Sequence, residues 1–286
     1  MELVSLTPAI GAEVRGLDPT VPMDVATRNA FELALAERGV LFFRNLDMTA
    51  VQLRDFAAAF GSLQTHPAYG AVDGTDAVTI LESTAERPTK IEQWHTDMTF
   101  RHAPPKITML HARIIPSTGG DTLWSSMTAA FDGLSDRLQQ FLSSLTALHD
   151  FSFGFRESLA EPGGRERLAE AVAANPPVEH PVVAVHPLTG RRGLYVNSLF
   201  TVSIKGMKAR ESRALLDLLF SHVTEPEYVC RFRWSRNAFA VWDNRCTQHK
   251  PVNDYHPAHR LMHRVTVNGE APDRPAACPT ATSADG

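Results

Sequence analysis

Whatever fold this chain adopts must bring His249 to the short segment Trp94-His95-Thr96-Asp97, although 152 positions separate His249 from Asp97. In an extended segment residues two apart point to the same side, so the imidazole of His95 and the carboxylate of Asp97 can reach one point. A second imidazole arriving from far along the chain completes a set of two histidines and one carboxylate. Half of a coordination sphere then stays open, which is the facial arrangement that holds non-haem Fe(II). The chain has 12 histidines, so the H-x-D pair alone is a weak signal. It gains weight from Arg260, 11 positions after His249, and from Arg264 beyond it.

In Arg260-Leu261-Met262-His263-Arg264, followed by Val265 and Val267, the β-branched residues predict a strand. Period two puts Arg260, Met262 and Arg264 on one face. A solvated edge strand could carry such a face, but Leu261, Val265 and Val267 require a core on the other side. Two inward guanidiniums would each require an anion, because an unpaired buried charge costs several kcal/mol. The guanidinium fork suits a carboxylate, a phosphate or a sulfonate. A zinc hydrolase could also use two histidines and a carboxylate with an open position, but that chemistry gives no reason for the arginines.

Around these residues the periodicity predicts a helix over Asp24–Arg38 stopped by Gly39, a strand at Val40–Phe43, and a helix capped by Thr49 and ending at Gly61. Further strands are predicted near Ala77–Leu81, Lys106–Ile115, after the Gly119-Gly120 turn, at Val182–Val185, Leu194–Val196, Glu227–Trp234, Ala238–Trp242 and Arg260–Asn268. A mostly helical block spans about 126–175, with breaks at Phe151–Phe155 and Pro162-Gly163-Gly164. One more helix is predicted at Ala209–His222. The polar stretch Glu82–Gln93 is expected to be mobile. Short strands with helices as additions fit a mainly β fold, a double-sheet jelly roll of the cupin sort with a helical insertion. Residues 1–272 read as one domain, and 273–286 as a disordered Ala/Pro/Thr/Ser tail.

Hydrophobic residues at 43% and charged residues at 21% suit a globular chain with a sizeable core. A net charge of −4 without a Lys/Arg run gives no reason to expect a nucleic-acid partner. No stretch approaches 18 apolar residues, so no membrane span is expected. The amino terminus lacks the features of a signal peptide. Cys230, Cys246 and Cys278 form no CxxC pair, which suits a reducing compartment. The expected location is the cytoplasm.

The strings WHTDMTF, GGDTLW, WDNRCTQH and RLMHR, within a likeness running from about Ala9 to Gly269, resemble the iron- and 2-oxoglutarate-dependent dioxygenases, the taurine dioxygenase branch in particular. The resemblance implies a double-stranded β-helix core, Fe(II) as the cofactor, and 2-oxoglutarate and O2 as co-substrates. It matches His95, Asp97 and His249 to the metal ligands, and Arg260 to the position that binds the distal carboxylate of 2-oxoglutarate. Thr122 matches the hydroxyl partner of that carboxylate, although it also reads as an ordinary strand residue. Arg264 and His66 match the contacts to a substrate sulfonate, with the backbone N–H of Met98 beside them. Tyr69, Phe155 and Phe200 match the aromatic wall of the substrate pocket, and each could equally be core.

The implied activity is hydroxylation of the carbon next to sulfur in a small sulfonate. Taurine leads, giving sulfite and aminoacetaldehyde with succinate and CO2. An alkyl sulfate, a longer alkylsulfonate or another small anionic acid is the alternative, and a non-catalytic cupin-like anion-binding module a remote one. Ile91 departs from the pattern: it stands where the taurine enzymes have a polar asparagine, which leaves a substrate amine less well held. Relatives of this kind are commonly homodimers or homotetramers.

Overall fold

The computed structural model describes residues 1–64 and 71–276. In chain order the strands are β1 (Glu2–Ser5), β2 (Ala12–Arg15), β3 (Val40–Phe43), β4 (Thr79–Ser83), β5 (Ile107–Ile114), β6 (Thr122–Ser126), β7 (Thr146–His149) and β8 (Val178–Pro181). They continue with β9 (Val183–Val185), β10 (Arg192–Leu194), β11 (Thr201–Ile204), β12 (Val229–Phe232), β13 (Phe239–Asp243), β14 (Thr247–Pro251) and β15 (Arg260–Val267). A seven-stranded sheet runs β1-β2-β3-β13-β5-β15-β4, and a three-stranded sheet β12-β6-β14 faces it. This is the jelly-roll core that the strand pattern predicts.

The apolar run Phe239-Ala240-Val241-Trp242 in β13 has no polar alternation because both of its faces are covered. Phe239 and Val241 pack with Leu41, Phe43, Met109, Val265 and Val267 against helices α1 (Val25–Arg38) and α2 (Ala50–Ala58). Ala240 and Trp242 pack the other way, with Phe42, Ala112 and Met262, onto Trp124 of β6 and Phe232 of β12. Phe42 stacks on Phe232 with ring centroids 4.1 Å apart. The inner face of the large sheet thus makes the inter-sheet core, and the same face carries the functional residues farther along.

Both helices start where their caps dictate. Asp24 accepts from the Thr27 N–H at 2.7 Å, and Thr49 forms a capping box with Gln52. Helix α1 stops at Gly39, whose φ of 71° a side chain would adopt only at a cost. A Cβ there would also lie 2.7 Å from the Thr247 methyl group. Helix α2 ends at Ala58, before Gly61.

The block between the two halves of the metal motif is less helical than its pattern predicts. Helices α3 (Met127–Asp132), α4 (Asp136–Ser143), α5 (Phe151–Gly154), α6 (Arg156–Ala160) and α7 (Gly164–Ala174) are interrupted by strand β7, which pairs with β8 and β11. Thr146-Ala147-Leu148-His149 is too short to show a period of its own, and its sheet partners lie at 178–181 and 201–204. A predicted break at Phe151–Phe155 is instead helix α5, because Asp150 caps it by accepting from the Ser152 N–H. This block shares a third core with β9, β10 and α8 (Ala209–His222), around Phe131, Leu142, Val183 and Leu216.

Past residue 272 the chain does not leave the fold at once, contrary to expectation. The Asp273 carbonyl accepts from Val185 N–H at 2.9 Å. The Arg274 guanidinium donates to the carbonyls of Ser144 and Leu145. Among the described residues no helix is long and apolar enough to cross a membrane.

Candidate metal and anion site

Strand β14 carries His249 and lies against β6, with His249 opposite Trp124. The His95 segment is no part of a longer strand. It is tied to β14 by two reciprocal backbone hydrogen bonds between His95 and His249, at 3.0 and 2.8 Å, and by the Thr96 hydroxyl, which donates to the Thr247 carbonyl at 2.7 Å. Direct opposition of the two histidines brings their side chains to one side of the pair. Met98 follows with φ 53°, a left-handed turn that costs a non-glycine residue about 1–2 kcal/mol and ends the extended segment immediately after Asp97.

The ligand atoms of His95, Asp97 and His249 all lie within 4.8 Å of one another, and all three residues are buried. Asp97 Oδ1 is 3.9 Å from Nε2 of each histidine, within the roughly 4.2 Å that two metal–ligand bonds of about 2.1 Å can bridge. The Nδ1–H of His95 donates to the Gln93 carbonyl at 2.8 Å, which leaves Nε2 with its lone pair toward the shared point. Burial and the neighbouring His95 push the His249 imidazole down to about 3, and burial lowers His95 as well. Burial opposes ionisation of Asp97, but Arg264 and both histidines outweigh it and hold the carboxyl well below its usual range. Neutral imidazoles beside an ionised carboxylate are the donor set that a divalent iron requires.

A second group, His186, Asp243 and Cys246, is also close-packed and buried, but it is closed to a metal. Arg245 grips both oxygens of Asp243, at 2.9 and 2.6 Å, and His186 donates to Oδ2 at 3.0 Å. Burial raises the Cys246 thiol well above its ordinary range.

Period two along β15 holds as predicted, with Arg260, Met262 and Arg264 on the inner face. A cavity of about 920 Å³ opens there, lined by His95, Asp97, His249, Thr122, Arg260 and Arg264. Arg260 Nε is sealed from solvent without a hydrogen-bond partner. Burial pulls the guanidinium's pKa down, with Tyr255 opposing. Gly120, at φ 75°, lets Arg260 approach: a Cβ would meet the Tyr255 ring at 3.3 Å and Arg260 Cδ at 3.4 Å. Thr122 is turned inward with Trp124 by the same period along β6. Its oxygen accepts from the Trp234 indole N–H at 2.9 Å, so its hydroxyl proton can point into the cavity.

Arg264 differs from expectation. Its anion within the protein is Asp97, with Nη2 to Oδ2 at 2.9 Å, a pairing that position along the chain does not reveal. Phe155 lines the cavity as expected, but Phe200 does not: its neighbour Leu199 does. Phe200 lies behind, packed on Phe100 and edge-on to the His95 ring at 6.5 Å. Met98 joins the same apolar cluster, with Ile91 and Phe155, and is not among the cavity-lining residues. His66 and Tyr69 lie outside the described residues. Sequence reasoning did not single out Thr108, whose hydroxyl donates to Asp97 Oδ2 at 2.7 Å, or Asn244, whose amide donates to Thr108 at 2.8 Å, although Asn244 stands inside WDNRCTQH.

The taurine catabolism dioxygenase TauD, TfdA family matches residues 2–266. The chain belongs to that family. It is 39% identical over 274 residues to an alkylsulfatase of Acinetobacter baylyi, covering 94% of this chain and 86% of the relative. It is 36% identical over 267 residues to an alpha-ketoglutarate-dependent sulfate ester dioxygenase of Pseudomonas putida, covering 92% and 88%. A solved taurine dioxygenase from Burkholderia xenovorans superposes with a TM-score of 0.82 at 35% identity, covering 96% of this chain and 91% of that one. The family's chemistry uses Fe(II), 2-oxoglutarate and O2, and the His95–Asp97–His249 site suits that metal by donor set and geometry.

Proposed function

We propose that this dioxygenase oxidises the carbon bearing the sulfur oxyanion group of a small organosulfur acid, and that an alkyl sulfate suits it better than taurine. The supporting observation is the cavity itself. Arg260, Arg264 and the metal ligands line it together with an apolar set, Ile80, Leu81, Ile91, Leu110, Phe155 and Leu199, while Glu82, Arg87, Lys90 and Glu157 are among its polar lining. Fe(II) held by the three ligands, with 2-oxoglutarate and O2, supplies the oxidising chemistry.

The side chains supply placement. Arg260 receives the distal carboxylate of 2-oxoglutarate as the anion it lacks, and the Thr122 hydroxyl donates to the same group. Arg264 uses Nη2 on Asp97 and turns its remaining N–H donors to the sulfur oxyanion. That holds one C–H near the metal, an orientation effect worth several kcal/mol. The hydrocarbon then lies along Ile91, Phe155 and Leu199, where an ammonium group would find no dedicated acceptor at Ile91. Hydroxylation of a sulfate-bearing carbon yields an adduct that collapses to an aldehyde and sulfate. From taurine the products would be aminoacetaldehyde and sulfite.

Each methylene buried on the apolar wall contributes about 0.8 kcal/mol, about fourfold in kcat/KM. Succinate formation should therefore rise along a series from ethyl to hexyl sulfate and exceed that with taurine. A preference for taurine would return the substrate to the sulfonates. Absence of substrate-stimulated succinate with every sulfate and sulfonate would overturn the reading altogether.

A further inference from the structure

Asp97 has two carboxylate oxygens, and the structure leaves only one of them for a metal. Oδ2 accepts from the Thr108 hydroxyl at 2.7 Å and is ion-paired with the Arg264 guanidinium, whose Nη2 lies 2.9 Å away. Behind Thr108 stands a chain of buried groups. The Asn244 Nδ2–H donates to Thr108 Oγ1 at 2.8 Å, and the Trp242 indole N–H donates to Asn244 Oδ1 at 3.0 Å.

An indole nitrogen can only donate, so Trp242 decides which way the Asn244 amide faces. The amide's NH2 group then occupies a lone pair of Thr108, and the threonine proton is left to point at Asp97. The direction of every bond is set from the tryptophan end. Thr108 and Asn244 are fully enclosed, so neither group can turn to water instead. Trp242 also packs on the His249 ring, with centroids 4.8 Å apart, so one side chain supports both halves of the metal site.

We propose that Thr108 and Asn244 are positioning residues that hold Asp97 as a one-oxygen ligand. The inference rests on the iron reading above. Three protein ligands would leave three positions on a six-coordinate ion for the co-substrates. Were Asp97 free to swing and bind through both oxygens, it would take one of those positions. The relay keeps Oδ2 engaged away from the metal, and Oδ1 at equal distance from the two histidines.

The test is metal binding without turnover, by calorimetric titration of the full-length protein with Mn(II), alongside urea unfolding of the metal-free protein. Thr108→Val keeps the shape and removes the hydroxyl, whereas Thr108→Ser keeps it. Asn244→Asp keeps the Trp242 contact but offers Thr108 an acceptor where it had a donor, which turns the threonine proton away from Asp97. Partners that orient metal ligands are worth about 10–100-fold in affinity. T108V and N244D should weaken Mn(II) binding by that factor, and T108S should restore it. If T108V does not unfold cooperatively, N244D decides.

Wild-type Mn(II) affinity in folded T108V and N244D would overturn the relay and leave the iron reading standing. Failure of the wild-type protein to bind Mn(II), with no difference from His95→Ala, would overturn both.

Discussion

Replacing Arg260 by methionine keeps most of the side chain's volume and removes a guanidinium whose Nε is enclosed without a partner. A buried charged donor left unmet costs about 1–3 kcal/mol or more, and some of that cost is relieved when the charge goes. The metal-free R260M protein should therefore unfold at higher urea, by about 1–2 kcal/mol, or a few degrees in Tm for a chain of this size. The opposite holds once 2-oxoglutarate is present. Removing one partner of an enclosed charge pair costs about 2–5 kcal/mol, which is about 30- to 4,000-fold in Kd. The assay is an anaerobic Fe(II) titration with 2-oxoglutarate, followed by the visible charge-transfer absorption, beside urea unfolding of the empty protein. Arg260→Lys, a point charge without the planar fork, should fall between. An R260M protein that is less stable when empty and binds 2-oxoglutarate normally would refute the reasoning, because Arg260 would then be a packing residue on Tyr255.

Three further outcomes follow from the same geometry. Ile91→Asn should lower kcat/KM for hexyl sulfate relative to taurine by about tenfold or more, since it removes apolar wall and adds a polar group; an unchanged ratio in succinate assays would count against the proposed substrate. Gly39→Ala should cost about 1–2 kcal/mol in urea unfolding for its positive φ, and more for the 2.7 Å approach to the Thr247 methyl; a neutral effect would show that the β3–β14 contact is slack. Burial, with Arg113 and His111 adding to it, pushes His263 down to about 4, against an unfolded value of about 6.5. Between those values the unfolded chain binds the extra proton, so stability falls as pH drops from about 6.5 to 4. His263→Gln should flatten that part of the urea-midpoint profile, and a profile as steep as wild type would contradict the assignment.

Much of the site was legible because its chemistry is local. The i, i+2 spacing of His95 and Asp97 needs only an extended segment, and period two along β15 puts Arg260 and Arg264 on one face wherever the strand ends up. A capping residue gave the start of α2 for the same reason, since Thr49 bonds to a backbone group three residues on. The four-residue strands β1, β2, β7 and β11 were not legible. A strand that short shows no period, and its identity depends on partners such as Leu148 with Glu179, 31 residues away. Phe200 and Leu199 show the same limit at single-residue scale: they sit in a turn just before β11, where no period tells which side chain faces the cavity.

By itself the amino-acid sequence determined the type of chemistry: which side chains can hold a metal, and that two guanidiniums must meet anions. Donor type and short-range periodicity belong to the chain before it folds. Only the tertiary structure decided the pairings. It set Arg264 on Asp97, ran Trp242, Asn244 and Thr108 into one directed chain, put Leu199 in place of Phe200, and gathered Ile80, Leu110 and Leu199 around the cavity. Each of these depends on strand order and register between segments more than 100 residues apart, such as Thr108 with Asn244 across 136, and no local pattern encodes those distances.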